Sequence, residues 1–160
     1  MNEPLWHCGN EIRMHHNPYY RLAGMTVLSF ISMYILMYAM VNTVANVFNS
    51  INQVYMAGLM TAPMVLIELV LMRSMYENEG LNFVVAALCI VAGVLFFVLI
   101  RQQTAVTDSQ FLRSMIPHHA GAILMCEKAP VQNSEIKTLC KSIISSQESE
   151  IRQMKSLLGR

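Results

Sequence analysis

The sequence predicts an all-α protein in which three transmembrane helices are followed by a C-terminal helical hairpin. Of its 160 residues, 54% are hydrophobic and only 13% are charged, and the mean hydropathy is positive, which is too apolar for an ordinary soluble domain. Three runs, Leu22 to Val41, Val54 to Met72 and Leu81 to Ile100, each approach the ~20 apolar residues that a helix needs to cross a hydrocarbon core of about 30 Å. Beyond them, apolar residues recur at helical spacing in two more polar segments, with Pro130 and Gln132-Asn133-Ser134 making a turn between.

The chain divides into an N-terminal segment 1–21, a three-span domain 22–101 (about 22–41, 54–72 and 81–100) and a helical domain 107–160. Pro4, Gly9, Asn17 and Pro18 mark the first segment as irregular, and its His15-His16 pair, without soft-ligand neighbours, reads as solvated. The first span reads as a retained anchor. Its lead of roughly 20 residues, with Trp6, His7, Glu11 and Arg13, is longer and less basic than a signal-peptide n-region. Thr43-Val44-Ala45 is the competing cleavage site, and Cys8 lacks the apolar region that a lipid-anchor signal requires. In the second span Pro63 is expected to kink the helix or open its hydrogen-bond ladder, while Glu68 is either an intramembrane functional carboxylate or half of a boundary ion pair with Arg73. The third carries no charge. Met33, Met37 and Met40, and likewise Met56, Met60 and Met64, recur at helical spacing and read as packing surface rather than a metal path.

Thr107 is the expected N-cap of the first hairpin helix, with Gln110 closing a capping box, and the helix should run from about Asp108 to Lys128. Pro117 lies inside it and predicts a local kink beside two histidines. The second helix should run to about Leu158, with Gly159 ending it. Two helices of roughly 20 residues bury too small a core to stand alone. A homodimer of two hairpins, or packing onto an extended third span, would supply the rest.

The chemistry is concentrated between Phe111 and Cys126. At about 100° per residue, Met115, His118, His119, Met125 and Cys126 fall within about a third of the helix circumference. Imidazole, thioether and thiolate together favour soft cations such as Cu(I) or Ag(I) over hard ones. A single Met or His more often packs or sits at a helix edge, but the second helix adds a stripe of Ile136, Leu139, Cys140, Ile143, Gln147, Glu150, Ile151, Met154 and Leu158. Burying the Gln147 amide unpaired would cost roughly 1–3 kcal/mol, and the Glu150 carboxylate more. Glu150 is therefore expected to orient a ligating histidine through its ring N–H, and Gln147 to satisfy a backbone or ring group. Met115, His119 and Met154 are the first candidate ligands, then His118 and Met125; Cys126 is either a ligand or a small core residue. Of the four cysteines only Cys126 and Cys140 can meet, in the two arms of the hairpin, and their pairing stays open.

The net charge of +1 comes from scattered basic residues, which argues against a nucleic-acid partner. With three spans, Arg13, Arg21 and Arg73 share one side and Arg101 and Arg113 the other, and the loop from Asn42 to Gln53 is uncharged. The positive-inside rule then puts the N-terminus in the cytoplasm and the C-terminal domain outside. No nucleophile with an adjacent base, no nucleotide-binding loop and no paired Glu-x-x-His are visible, so binding is favoured over catalysis.

Met115-Ile116-Pro117-His118-His119 with Ala122-Ile123, followed by Gln147, Glu150-Ile151 and Met154, resembles the signature of the family named domain of unknown function 305, over roughly Asp108 to Leu158. The Met-Tyr pairs at 33–34, 37–38 and 75–76 are similar to its membrane-anchored branch. The resemblance implies a ferritin-like, bundle-type hairpin and copper binding in the bacterial envelope. The expected protein is thus a multi-pass protein of the bacterial inner membrane whose periplasmic domain binds Cu(I) or Ag(I) for buffering, delivery or resistance. The lipid bilayer, a second copy and other copper-handling proteins would be its partners. Two alternatives accompany it: a helical interaction module whose His-Glu layer is structural, and a copper-dependent oxidoreductase.

Overall fold

A computed structural model describes residues 18–159; Cys8, Arg13 and the His15-His16 pair lie outside the described residues. Five α-helices follow in order: α1 (Pro18–Leu36), α2 (Ile51–Leu71), α3 (Glu79–Gln102), α4 (Asp108–Lys128) and α5 (Ser134–Leu158). There is no strand among the described residues.

The three spans all start earlier than hydropathy predicts. Pro18 opens α1, where its preset φ suits the first helical position and its missing N–H is no loss. At the other end α1 tightens into a 3₁₀ turn, Met37–Met40. Ile51, Asn52 and Gln53 belong to α2 although two of them are polar, because the polar side chains bond to other parts of the protein. Asn78 caps α3, its Oδ1 accepting from the Leu81 N–H at 2.9 Å. Both α2 and α4 run through their prolines, Pro63 and Pro117, so each proline removes a donor without ending its helix. Of the two readings of Glu68, the ion pair with Arg73 does not form. Arg73 instead meets Glu79 across the α2–α3 turn, Nη2 to Oε1 at 3.3 Å, with both side chains largely exposed.

Small residues bring α2 and α3 together. Ala57, Thr61 and Ala62 are buried on α2, and a Cβ placed on Gly58 would collide with the Phe96 ring of α3, so this close approach requires glycine. Outward, the helices stay apolar: Leu28 is 67% exposed and Phe83 76%. The helices Pro18–Met40, Ile51–Leu71 and Glu79–Gln102 are each long and apolar enough to cross a membrane. Such uncovered apolar surface demands lipid or a protein partner.

The hairpin has the predicted helices. Thr107 caps α4, its hydroxyl accepting from the Gln110 N–H at 3.4 Å. The capping box is only half formed, because the Gln110 side chain turns away and its Oε1 accepts from the Ile51 N–H at 2.9 Å. That bond spends an orphan donor of α2 on the hairpin. Asn133, read from sequence only as part of the turn, caps α5 through bonds from the Glu135 and Ile136 N–H groups. Gly159 ends α5 at φ −86°, without a left-handed residue. The α3–α4 turn does use left-handed residues, Gln103 (φ 50°) and Ala105 (φ 59°). Each costs about 1–2 kcal/mol, and the start of α2 holds them: the Tyr55 hydroxyl donates to Thr104 O at 3.0 Å, and Asn52 Nδ2 to Gln103 Oε1 at 2.9 Å.

Ile116, Ala120, Ile123, Ile151 and Met154 form the hairpin core, and Val41 and Phe48 pack against it. The loop between α1 and α2, rather than an extended α3, supplies part of the missing core surface. Lys155 clamps this loop: its Nζ donates to Asn46 Oδ1 at 2.6 Å and stands 6.0 Å from the centre of the Phe48 ring.

Candidate metal centre

The soft-ligand face of α4 divides in two. Adjacent helical residues point about 100° apart, and this separates the paired histidines, whose ring centres are 6.1 Å apart. His119 is buried in the hairpin, whereas His118 is exposed on the side that faces α2.

Both ring nitrogens of His119 are engaged. Nδ1 lies 2.9 Å from Met115 O and Nε2 lies 2.7 Å from Glu150 Oε2. A carbonyl only accepts, so Nδ1 carries a hydrogen, and Nε2 shares a proton with the carboxylate. The sequence expectation of a His-Glu layer therefore describes this pair, and Glu150 reaches the nitrogen that a metal would otherwise take. Ser146 Oγ donates to the other carboxylate oxygen at 2.7 Å. The Ser146 bond first, and His119 second, hold the Glu150 carboxyl below the ordinary glutamate range. A carboxylate depressed in the folded state stabilises the hairpin above its unfolded pKa, and the contribution disappears as pH falls through the folded value. Glu150→Gln should therefore flatten the acid limb of hairpin stability, read as melting temperature against pH from neutrality to below pH 4 or thereabouts. An acid limb identical to that of the wild-type chain would show that the carboxylate contributes nothing.

The other candidates distribute as follows. Met154 is buried in the hairpin core beside Ile151, and Met115 packs partly against it. Gln147 Oε1 is buried without a partner, so the expected bond to a backbone or ring group is not made. Cys126 and Cys140 do meet across the hairpin as free thiols, and the neighbouring Cys140 thiol pushes the Cys126 thiol above its usual range. Among the described residues no three of His, Cys, Asp and Glu come together.

His118, Met115 and Met125 border one cavity of about 600 Å³ between the hairpin and the ends of α1 and α2. Among the described residues no charged side chain lines it. The donors it offers are thioethers, one imidazole, hydroxyls and amides, a set that suits a soft cation and lacks the carboxylates a hard cation needs. His118 and Met125 are exposed on this side, within reach of an incoming ion. The membrane-half residues that border it were not legible as site residues, because their spacing is equally that of packing methionines.

The family model for the domain of unknown function (DUF305) matches residues 98–158, which spans the whole hairpin and the end of α3. An uncharacterised protein of Acanthamoeba polyphaga mimivirus is 31% identical over 137 residues, covering 84% of this chain and 88% of that protein, so the likeness extends well into the membrane half. No solved structure matches the chain. With the match lying on the helices that carry the paired histidines and Glu150, the chain belongs to the DUF305 family.

Proposed function

We propose that the protein is a membrane-anchored binder of Cu(I) or Ag(I), serving metal buffering, delivery or resistance. The observation that carries this reading is the exposed His118 imidazole beside Met115 and Met125 on an uncharged cavity. Those three residues would hold the ion. His119 and Glu150 would fix the orientation of α4 rather than ligate, since both ring nitrogens of His119 are already bonded. Met154 would act through packing, and Cys126 through its contact with Cys140.

The apolar belts of the three long helices support a lipid bilayer as the anchor. The uncharged α1–α2 loop packs on the hairpin, so both lie on one side of that bilayer, and the charge rule makes it the side away from the cytoplasm. A bacterial plasma membrane fits this placement. Any membrane with one cytosolic face obeys the same rule, the membranes of a virus-infected cell included.

The test is metal binding by the detergent-purified full chain under anaerobic, reducing conditions. Stoichiometric Cu(I) with little Zn(II) is the expected result, because thioethers contribute much to a soft monovalent ion and little to zinc. Equal or stronger zinc retention overturns the reading. The His119–Glu150 pair favours one rival, an interaction module with a structural polar layer; that rival predicts no bound metal at all.

A further inference from the structure

The cavity that carries His118 is not built by the hairpin alone. Met37 and Met40, from the 3₁₀ turn that ends α1, and Met56, from the first turns of α2, line it together with Met115, His118 and Met125. The rest of the membrane methionines do not follow them. Met33 and Met64 border a separate groove on α1, and Met33 receives the Thr61 hydroxyl. Three methionines from two stripes are thus drawn to the place where the His118 imidazole is exposed.

Helix geometry explains how they come so close. His118, Gly121 and Met125 lie at i, i+3 and i+7 and form one row along α4. Gly121 is buried, and a Cβ there would stand 3.4 Å from Met40 O and 4.0 Å from Met40 Cβ. These are contact distances, so α4 lies directly against the Met37–Met40 turn at Gly121, with His118 and Met125 on either side of the contact. Met40 is 51% exposed and Met56 39%, so their thioethers are not consumed by packing.

A second feature of the cavity asks for an occupant. Ser50 and Asn52 line it, and Ser50 Oγ and Asn52 Oδ1 are buried with no hydrogen-bond partner; Ser50 is only 4% exposed. Polar atoms buried in this way cost free energy unless water or a ligand satisfies them. Water carried with a cation would do so, while the thioethers and the imidazole take the ion itself. Among the described residues nothing negatively charged lines the space, so they offer no charge attraction to a hard divalent ion.

We propose that Met37, Met40 and Met56 complete a soft monovalent-cation site with Met115, His118 and Met125, so that the membrane half supplies ligands as well as anchorage. The proposal rests on the soft-metal reading above and extends it to the other half of the chain. An ion held there bridges the two halves. It can pass between thioethers of the membrane helices and those of α4 without leaving a methionine-lined space.

The test uses the full chain in detergent, with Cu(I) added under anaerobic, reducing conditions. Cu(I) affinity is measured by competition with a chromophoric chelator, and the sulfur and nitrogen neighbours of copper by X-ray absorption. Changing Met37→Leu, Met40→Leu and Met56→Leu together nearly conserves volume. The variant should bind Cu(I) at least about tenfold more weakly, a loss of about 1.4 kcal/mol, with fewer sulfur neighbours and unchanged nitrogen. If the triple variant does not fold, the single changes Met40→Leu and Met56→Leu, at exposed positions, carry the same test. Wild-type affinity and sulfur count in these variants, alongside lost binding in His118→Ala, would overturn the proposal and leave the hairpin site standing. A wild-type chain that binds no Cu(I) would remove both.

Discussion

His118→Ala should weaken Cu(I) binding by the full chain by more than about 100-fold, beyond the ~10–100-fold that follows from changing a residue outside the ligand set. The side chain is exposed and no hydrogen bond among the described residues holds it, so its removal should leave the melting temperature nearly unchanged. His119→Ala should behave in the opposite sense. It deletes a buried ring that joins Met115 O to Glu150, and so it should lower stability, while Cu(I) affinity falls only as far as α4 loses its orientation. Chelator competition and thermal melts of both variants separate the roles. Strong copper loss in His119→Ala at full stability, with none in His118→Ala, would reassign the metal to the buried ring.

Ile123→Ala should cost the hairpin about 2–5 kcal/mol, the range for truncating a large side chain in a packed core. Ile123 is 1% exposed and belongs to the same cluster as Ile116, Ile151 and Met154. The effect should be local, because stability in such a chain is not uniform. Amide exchange should accelerate across α4 and α5 while the α2–α3 contact around Gly58 and Phe96 keeps its protection. Uniform acceleration through all five helices would mean that the two halves unfold as one unit. No change in α4 would mean that the site collapses around the smaller side chain.

Much of the hairpin was legible because its signals are local. Thr107 and the polar start of α4 fix that helix from Asp108 to Lys128, and Cys126 and Cys140 were the two cysteines able to meet. The ends of the spans were less legible. Hydropathy sees lipid-facing residues, and Asn52 and Gln53 are helical for a different reason, their bonds to Gln103 and Tyr38. The candidate site was half legible for the same kind of reason. Helical angle groups His118 with His119, but which of the two is buried depends on what packs against α4, and that is set by Gly121 on the Met40 turn and by Glu150 on α5. Gln147 shows the limit of a pattern argument: its place in an apolar stripe was correct, and the partner inferred from its burial is not there. Met40 and Met56 could not be told from their stripe-mates, because one spacing serves both packing and ligation.

The contact of Val41 and Phe48 with the hairpin core also orders events in time. These two residues are synthesised before α2 and α3, and the helices they complete are synthesised last. In the proposed three-span topology the loop would wait, with its apolar side chains uncovered, until α2 and α3 had crossed the bilayer and α4 had followed. A chain whose α3 failed to insert would leave α4 and α5 on the opposite face, out of reach of Phe48 and Asn46. On that topology the finished hairpin would record correct threading, and a misthreaded chain would carry an open core of the kind that proteases and chaperones recognise.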